Sequence, residues 1–162
     1  MYPGERFNAG SHLVGALLAL TGSIWLIVLS SLDGDPWKIV GVSVYGATLL
    51  LLYTVSTVYH SVRGRAKRIL RKLDHLSIYL LIAGSYTPFC LVTLNVLIAI
   101  GPLLRNLGGE GFAWLLAGGV VYTAGIVFFV YDTRYRHWHG IWHLFVVGGS
   151  SLHFVAIGGY VI

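Results

Sequence analysis

Long apolar runs separated by short charged connections constrain this chain more than any other feature of its sequence. We predict membrane spans at about residues 7–31, 37–60, 73–94, 112–131 and 138–162. Each run is close to the roughly 20 residues that an α-helix needs to cross a bilayer. Only helices and closed barrels satisfy their backbone polar groups in lipid, and runs of this length indicate helices. We therefore predict an all-α integral membrane protein with a bundle of about five transmembrane helices.

The composition agrees with a membrane protein of one domain. Only 10% of the residues are charged, against about 25% in an average soluble domain, and the mean hydropathy is +0.76. So few charged side chains cannot cover a surface that faces water on all sides. The chain also has 21 glycines, and small residues allow membrane helices to approach closely. We predict that residues 1–162 form a single membrane domain whose core lies between the helices.

Basic residues are concentrated in two connections between the predicted spans. Six follow the second span and two precede the last one: Arg63, Arg65, Lys67, Arg68, Arg71, Lys72, Arg134 and Arg136. The positive-inside rule places both connections in the cytoplasm, which predicts a cytoplasmic N-terminus and a C-terminus outside. A nucleic-acid interface would also be basic, but the larger cluster lies between two spans. We therefore expect the lipid bilayer, and no nucleic acid, as a partner.

The last predicted span contains two histidines four residues apart, His139 and His143. Residues at this spacing lie on one face of an α-helix, roughly 6 Å apart along its axis, so that two imidazoles can bind one metal ion. Cys90 is the only cysteine, which leaves histidines and carboxylates as the strong candidate ligands. The alternative for a histidine in an apolar helix is a packing residue that forms a hydrogen bond. We interpret His12 and His153 in that way.

The predicted topology brings further polar residues to the cytoplasmic end of the bundle. His60 ends the second span, Asp74 begins the third, and His139 and His143 begin the last. Three imidazole nitrogens and one water form the tetrahedral arrangement of a catalytic zinc site. We predict His60, His139 and His143 as zinc ligands and Asp74 as the group that holds or deprotonates the water. Ser56, one turn before His60, either binds a substrate carbonyl or the water, or bonds back to its own helix.

These motifs resemble the signature of the hemolysin III-like proteins, the bacterial branch of the progestin and adiponectin receptor (PAQR) family. The resemblance covers nearly the whole chain, and the following segments carry it: Ser56-x-x-x-His60, Asp74, His139-x-x-x-His143, Gly-Glu-Arg-Phe-Asn8-x-x-x-His12, Lys72-Leu-Asp-His75 and Tyr86-Thr-Pro88-Phe. It implies a seven-helix fold in the bacterial plasma (inner) membrane, with zinc on the three matching histidines and Asp74 beside a water. It also implies a relation to suspected membrane metal hydrolases, which include alkaline ceramidases.

The chain departs from the seven-span pattern at residues 95–111. This short apolar segment and turn cannot cross a bilayer alone, and Gly101 and Pro102 interrupt it. We interpret it as an extension of the third span or a re-entrant segment, followed by a glycine-rich turn at 106–111. We expect a fourth span and part of a fifth to be missing here, roughly 40 residues or about two crossings. The predicted zinc ligands all lie outside the missing part. The missing residues would instead belong to the wall of the cavity around the zinc site.

Three functions are consistent with these features. The first is a zinc-dependent intramembrane hydrolase, ceramidase-like, that cleaves lipid amide or ester bonds in membrane lipid homeostasis. The second is a receptor-like regulator with a structural zinc, and the third is a hemolysin III-type cytolytic, pore-forming protein. Three protein ligands with an open fourth position favour the enzyme, because structural zinc usually has four protein ligands. In each case we expect a membrane lipid as substrate or ligand.

Overall fold

The computed structural model describes residues 4–92, 100–135 and 137–162, with the side chains of all but 92, 100–104 and 106. These residues contain no strand and form five α-helices, which confirms the predicted all-α membrane fold. In chain order the helices are α1 (Arg6–Asp33), α2 (Pro36–Ser61), α3 (Gly64–Val92), α4 (Ile100–Val130) and α5 (Trp138–Tyr160).

Four helices within the described residues are long and apolar enough to cross a membrane. They are α1, α2, the segment Leu107–Val130 of α4, and α5. Large apolar side chains on their outer faces are exposed, as at Leu17 and Val120. Lipid tails would cover these side chains, so their exposure is consistent with a membrane-embedded bundle. The cytoplasmic position of the N-terminus stays a prediction.

The turn between α1 and α2 reverses the chain within two residues. Gly34 adopts the left-handed conformation with a φ of 77°, and its N–H donates to the carbonyl of Ser30. Asp35 then caps α2, because its carboxylate accepts a hydrogen bond from the Trp37 N–H at 2.8 Å. Pro36 occupies the first helical position, where its missing N–H costs nothing. The two helices therefore lie antiparallel.

One segment differs from the sequence-based prediction. The basic residues 65–72 lie in the first turns of α3 and not in a loop, since Gly64 makes the turn and the Arg, Lys, Leu and Ala residues after it favour a helix. Gly108 interrupts α4 within the segment 106–111, where a glycine-rich turn was expected, with a non-helical φ of 66° and ψ of 177°. The predicted end of the third span and the start of the short apolar segment, residues 93–99, lie outside the described residues, as does Arg136.

Successive helices alternate in direction, and α5 returns to pack against α1 and α4. Contacts at the end of the bundle opposite to His60 show this arrangement. Lys38 at the start of α2 donates to the carbonyl of Ile162 after α5, and Tyr160 of α5 donates to Glu110 of α4. The start of α1, the end of α2 and the start of α5 consequently meet at one end of the bundle. This end contains His60, His139 and His143.

Candidate metal centre

Three histidines from two helices that are far apart in the sequence lie close together at this end. His60 lies in the last turn of α2, whereas His139 and His143 lie in the first two turns of α5. One ring nitrogen of each lies within 4.8 Å of a ring nitrogen of both others. The Nε2 atoms of His60 and His139 are 3.2 Å apart. Two nitrogens bound to a tetrahedral zinc ion at about 2.0–2.1 Å lie about 3.3 Å apart, so the spacing fits a metal ion.

Carboxylates orient two of the three imidazoles. His60 Nδ1 donates to Glu5 Oε2 at 2.5 Å, and His139 Nδ1 donates to Asp132 Oδ2 at 2.7 Å. A hydrogen on Nδ1 leaves the lone pair of a neutral imidazole on Nε2. Both Nε2 atoms are then acceptors that face each other, and two acceptors cannot form a hydrogen bond. A cation between them satisfies both lone pairs.

Contacts with α1 orient the third imidazole in the same way. His143 Nδ1 lies 3.2 Å from the carbonyl oxygen of Asn8 and 3.3 Å from Ser11 Oγ. A carbonyl oxygen can only accept, so Nδ1 carries the hydrogen and Nε2 has the lone pair. His143 is fully buried, and its Nε2 has no hydrogen-bond partner within the described residues. A metal ion would occupy this otherwise unsatisfied nitrogen.

The donor set therefore fits a transition metal. Three neutral imidazoles suit zinc, copper, iron and nickel alike, and each ring is held by a partner on its other nitrogen. His60 and His143 are buried, whereas His139 is half-buried with its side chain 21% exposed. His139 is thus the candidate ligand on the open side of the site.

Asp74 and Ser56 lie at the same end of the bundle as these histidines, outside the group of candidate ligand nitrogens. Asp74 projects from α3, is 4% exposed and faces the hydroxyl of Ser56, which is fully buried in α2. Asp74 also lies within electrostatic range of His139. Among the described residues Ser56 Oγ makes no hydrogen bond to its own helix, although such a bond was one of the two alternatives expected from sequence. The structure thus brings all five predicted site residues to one end of the bundle.

Glu5 lies outside the helices, between the N-terminus and α1, and it is the carboxylate nearest to His60. Burial disfavours its ionised form, but hydrogen bonds from Lys67, His60 and Asn8 outweigh burial and lower the pKa of its carboxyl to about 2. Lys67 Nζ donates to Glu5 Oε1 at 2.7 Å and also lies 4.8 Å from the centre of the Tyr59 ring. Glu5 is therefore an anion at neutral pH.

Sequence reasoning missed Glu5 and Asp132. The available signal was weak: Glu5 lies three residues before Asn8 in the opening motif, and Asp132 lies seven residues before His139. His12 is buried as expected, but neither ring nitrogen has a hydrogen-bond partner within the described residues, and its ring stacks on His143. His153 does form the expected hydrogen bond, from Nε2 to the carbonyl of Leu115 at 3.2 Å.

The fold and the site together define a helical membrane protein with a candidate metal centre at one end of its bundle. The family described as "Haemolysin-III related" matches residues 2–97. The chain is 35% identical to Hemolysin-3 of Bacillus cereus over 202 residues, which cover 98% of this chain and 92% of the relative. It therefore belongs to the haemolysin III family.

Two further relatives also match most of this chain. The chain is 32% identical to the Hemolysin-3 homolog of Bacillus subtilis (strain 168) over 202 residues, which cover 98% of this chain and 94% of the relative. It is 28% identical to the human monocyte to macrophage differentiation factor over 207 residues, covering 94% of this chain and 82% of the relative. No solved structure matches the chain.

The lengths of these alignments show that the relatives have additional residues. The two bacterial alignments run over 202 positions, although this chain has 162 residues. At least 40 aligned positions therefore have no counterpart here. That the missing residues correspond to a fourth span and part of a fifth stays a prediction.

Proposed function

We propose that this chain is a zinc-dependent intramembrane hydrolase that acts on lipid amide or ester bonds and contributes to membrane lipid homeostasis. The convergence of three imidazole nitrogens beside a buried carboxylate carries this proposal. Three protein ligands leave a fourth position open, as in catalytic zinc sites. When bound, zinc would supply a Lewis acid that polarises a carbonyl and lowers the pKa of a water molecule.

Residues of the chain would bind the metal ion and transfer the protons of the reaction. His60, His139 and His143 would hold the ion through Nε2. Asp74 would accept a proton from the attacking water and return it to the leaving amine or alcohol, as a general base and then a general acid. Ser56 faces Asp74 and would orient its carboxylate or donate to the substrate carbonyl. Burial of both residues excludes bulk water, which strengthens these electrostatic interactions.

The position of the site supports a proposal for the substrate class. The histidines lie in the terminal turns of α2 and α5, which are long enough to cross a membrane. A site at the end of membrane-spanning helices lies near the depth of lipid headgroups, where amide and ester linkages of membrane lipids are found. We therefore propose a membrane lipid as the substrate. The similarity to proteins of two Bacillus species supports the bacterial plasma membrane as the proposed location.

Metal content tests this proposal. Detergent-purified protein would be measured by elemental analysis as wild type, His60→Ala, His143→Ala and His75→Ala. We expect about one zinc per chain in the wild type and its loss in the first two variants. His75 is exposed and bonds the backbone of Arg71, so that His75→Ala is the matched control and retains the metal. A wild-type protein without metal would contradict the proposal.

The name of the Bacillus cereus relative supports a second candidate, a cytolytic membrane protein. Release of a dye from liposomes would test it with the wild type and His60→Ala. Equal leakage from both proteins, without hydrolysis of lipid amides or esters, would favour cytolysis over the hydrolase. A bound metal without hydrolysis or leakage would favour a receptor-like regulator with a structural zinc.

A further inference from the structure

We propose that Glu5 and Asp132 are positioning residues of the metal centre. Each accepts the Nδ1 hydrogen of one histidine and thereby directs the Nε2 lone pair of that histidine toward the ion. This inference rests on the metal site of the proposed function and assigns a role to two residues outside its ligand set. Three observations support the assignment: the hydrogen bonds of each carboxylate, the charge near the site, and the exposure of His139.

Glu5 joins three helices through its two carboxylate oxygens. Oε2 accepts hydrogen bonds from His60 Nδ1 of α2 at 2.5 Å and from Asn8 Nδ2 of α1 at 3.1 Å. Oε1 accepts from Lys67 Nζ of α3 at 2.7 Å. Because both oxygens have partners on different helices, the plane of the carboxylate is fixed. A fixed carboxylate restrains rotation of the His60 ring and keeps Nε2 directed into the cluster.

Asp132 orients His139 from the short connection between α4 and α5. Its Oδ2 accepts from His139 Nδ1 at 2.7 Å, and the two side chains are 20% and 21% exposed. His139 is the most exposed of the three candidate ligands, so packing alone restrains its ring least. The hydrogen bond supplies the missing restraint. His143 is fully buried and uses the carbonyl of Asn8 for the same purpose.

Charge gives the two carboxylates a further role. Three neutral imidazoles do not offset the charge of a divalent ion, so carboxylates near the site stabilise a bound ion. The partner of His143 Nδ1 is an uncharged carbonyl, whereas those of His60 and His139 are carboxylates. Glu5 and Asp132 therefore place carboxylates directly behind two of the candidate ligands, and Lys67 already balances the charge of Glu5. Removal of such partners costs about 10- to 100-fold in metal affinity.

Competition with a chelator in detergent tests this role with Glu5→Gln and Asp132→Asn. We expect each variant to bind zinc about 10- to 100-fold more weakly than the wild type, with one ion per chain at saturation. Glu5→Asp should recover part of the affinity. The matched controls are Glu110→Gln and Asp33→Asn, because these carboxylates bond Tyr160 and Lys38 away from the cluster. Both controls should bind zinc like the wild type.

Nitrogen NMR of labelled histidines in metal-free protein gives a second measurement. The wild type should show His60 and His139 with hydrogen on Nδ1, and the preference at His60 should weaken in Glu5→Gln. Unchanged affinity and unchanged tautomers in Glu5→Gln and Asp132→Asn would overturn the positioning role. If His60→Ala still abolished metal binding in that case, the proposed function would stand. A wild type that bound no zinc would instead overturn both proposals.

Discussion

The imidazole rings of His12 and His143 stack face to face, with their centroids 3.6 Å apart and an angle of 12° between their planes. The rings of Tyr53 and His12 also pack in a T-shaped arrangement, with centroids 5.2 Å apart. His12 is 1% exposed, and within the described residues both its nitrogens lack hydrogen-bond partners. The ring of His12 thus supports a candidate metal ligand by packing.

His12→Ala should weaken metal binding because it removes the ring against which the imidazole of His143 packs. We expect about tenfold lower zinc affinity, at the lower end of the effect of outer-shell partners. His12→Phe retains a flat ring and should bind zinc nearly as well as the wild type. Competition with a chelator measures both variants. Equal loss in the two variants would show that the nitrogens of His12 matter, contrary to this prediction.

Asp74→Asn should separate metal binding from catalysis. The amide has the same shape as the carboxylate but cannot accept the proton, so hydrolysis should fall about 10²- to 10⁴-fold while the zinc content stays unchanged. Elemental analysis and the release of a fluorescent acyl chain from a lipid amide measure the two quantities. Loss of zinc in Asp74→Asn would instead identify Asp74 as a ligand.

Ser150→Ala should destabilise the centre of the bundle. Ser150 Oγ accepts from the Tyr53 hydroxyl at 2.9 Å and pairs with the Tyr122 hydroxyl at 2.7 Å, which links α2, α4 and α5. Without it, buried hydroxyl groups lose a partner, at a cost of about 1–3 kcal/mol in the free energy of unfolding. Ser151→Ala is the neighbouring control, because exposed Ser151 bonds only Val147 of its own helix among the described contacts. Denaturant unfolding in detergent should show no comparable change for the control.

Gly41→Ala should weaken the packing of α2 against α3. A Cβ at Gly41 would lie 2.8 Å from the Cα of Pro88, and backbone cannot move aside as a flexible side chain can. We expect a loss of about 1–3 kcal/mol in the free energy of unfolding, as for other overpacked positions. Gly10→Ala has open space around its Cβ and should be neutral or stabilising. Thermal unfolding of both variants in detergent tests this contrast.

Local sequence determined most of the fold. Apolar runs longer than about 20 residues predict helices in lipid, whatever their neighbours are. The turn at Gly34 and Pro36 is equally local, because backbone conformation and a missing N–H specify it. The extent of α3 was harder to predict. Their charge led us to predict a connection at residues 65–72. These residues are instead part of α3, because their side chains favour a helix.

The sequence also determined the candidate ligands. His139 and His143 share a helix face, and the predicted topology places His60 on the same side of the membrane. Only the tertiary structure decided what holds these rings. Glu5 and Asp132 approach His60 and His139 from an N-terminal turn and an interhelical connection, where no periodicity fixes the direction of a side chain. Hydrogen bonds between residues as distant as 5 and 60 depend on how the helices pack, and helix packing is decided by the whole chain.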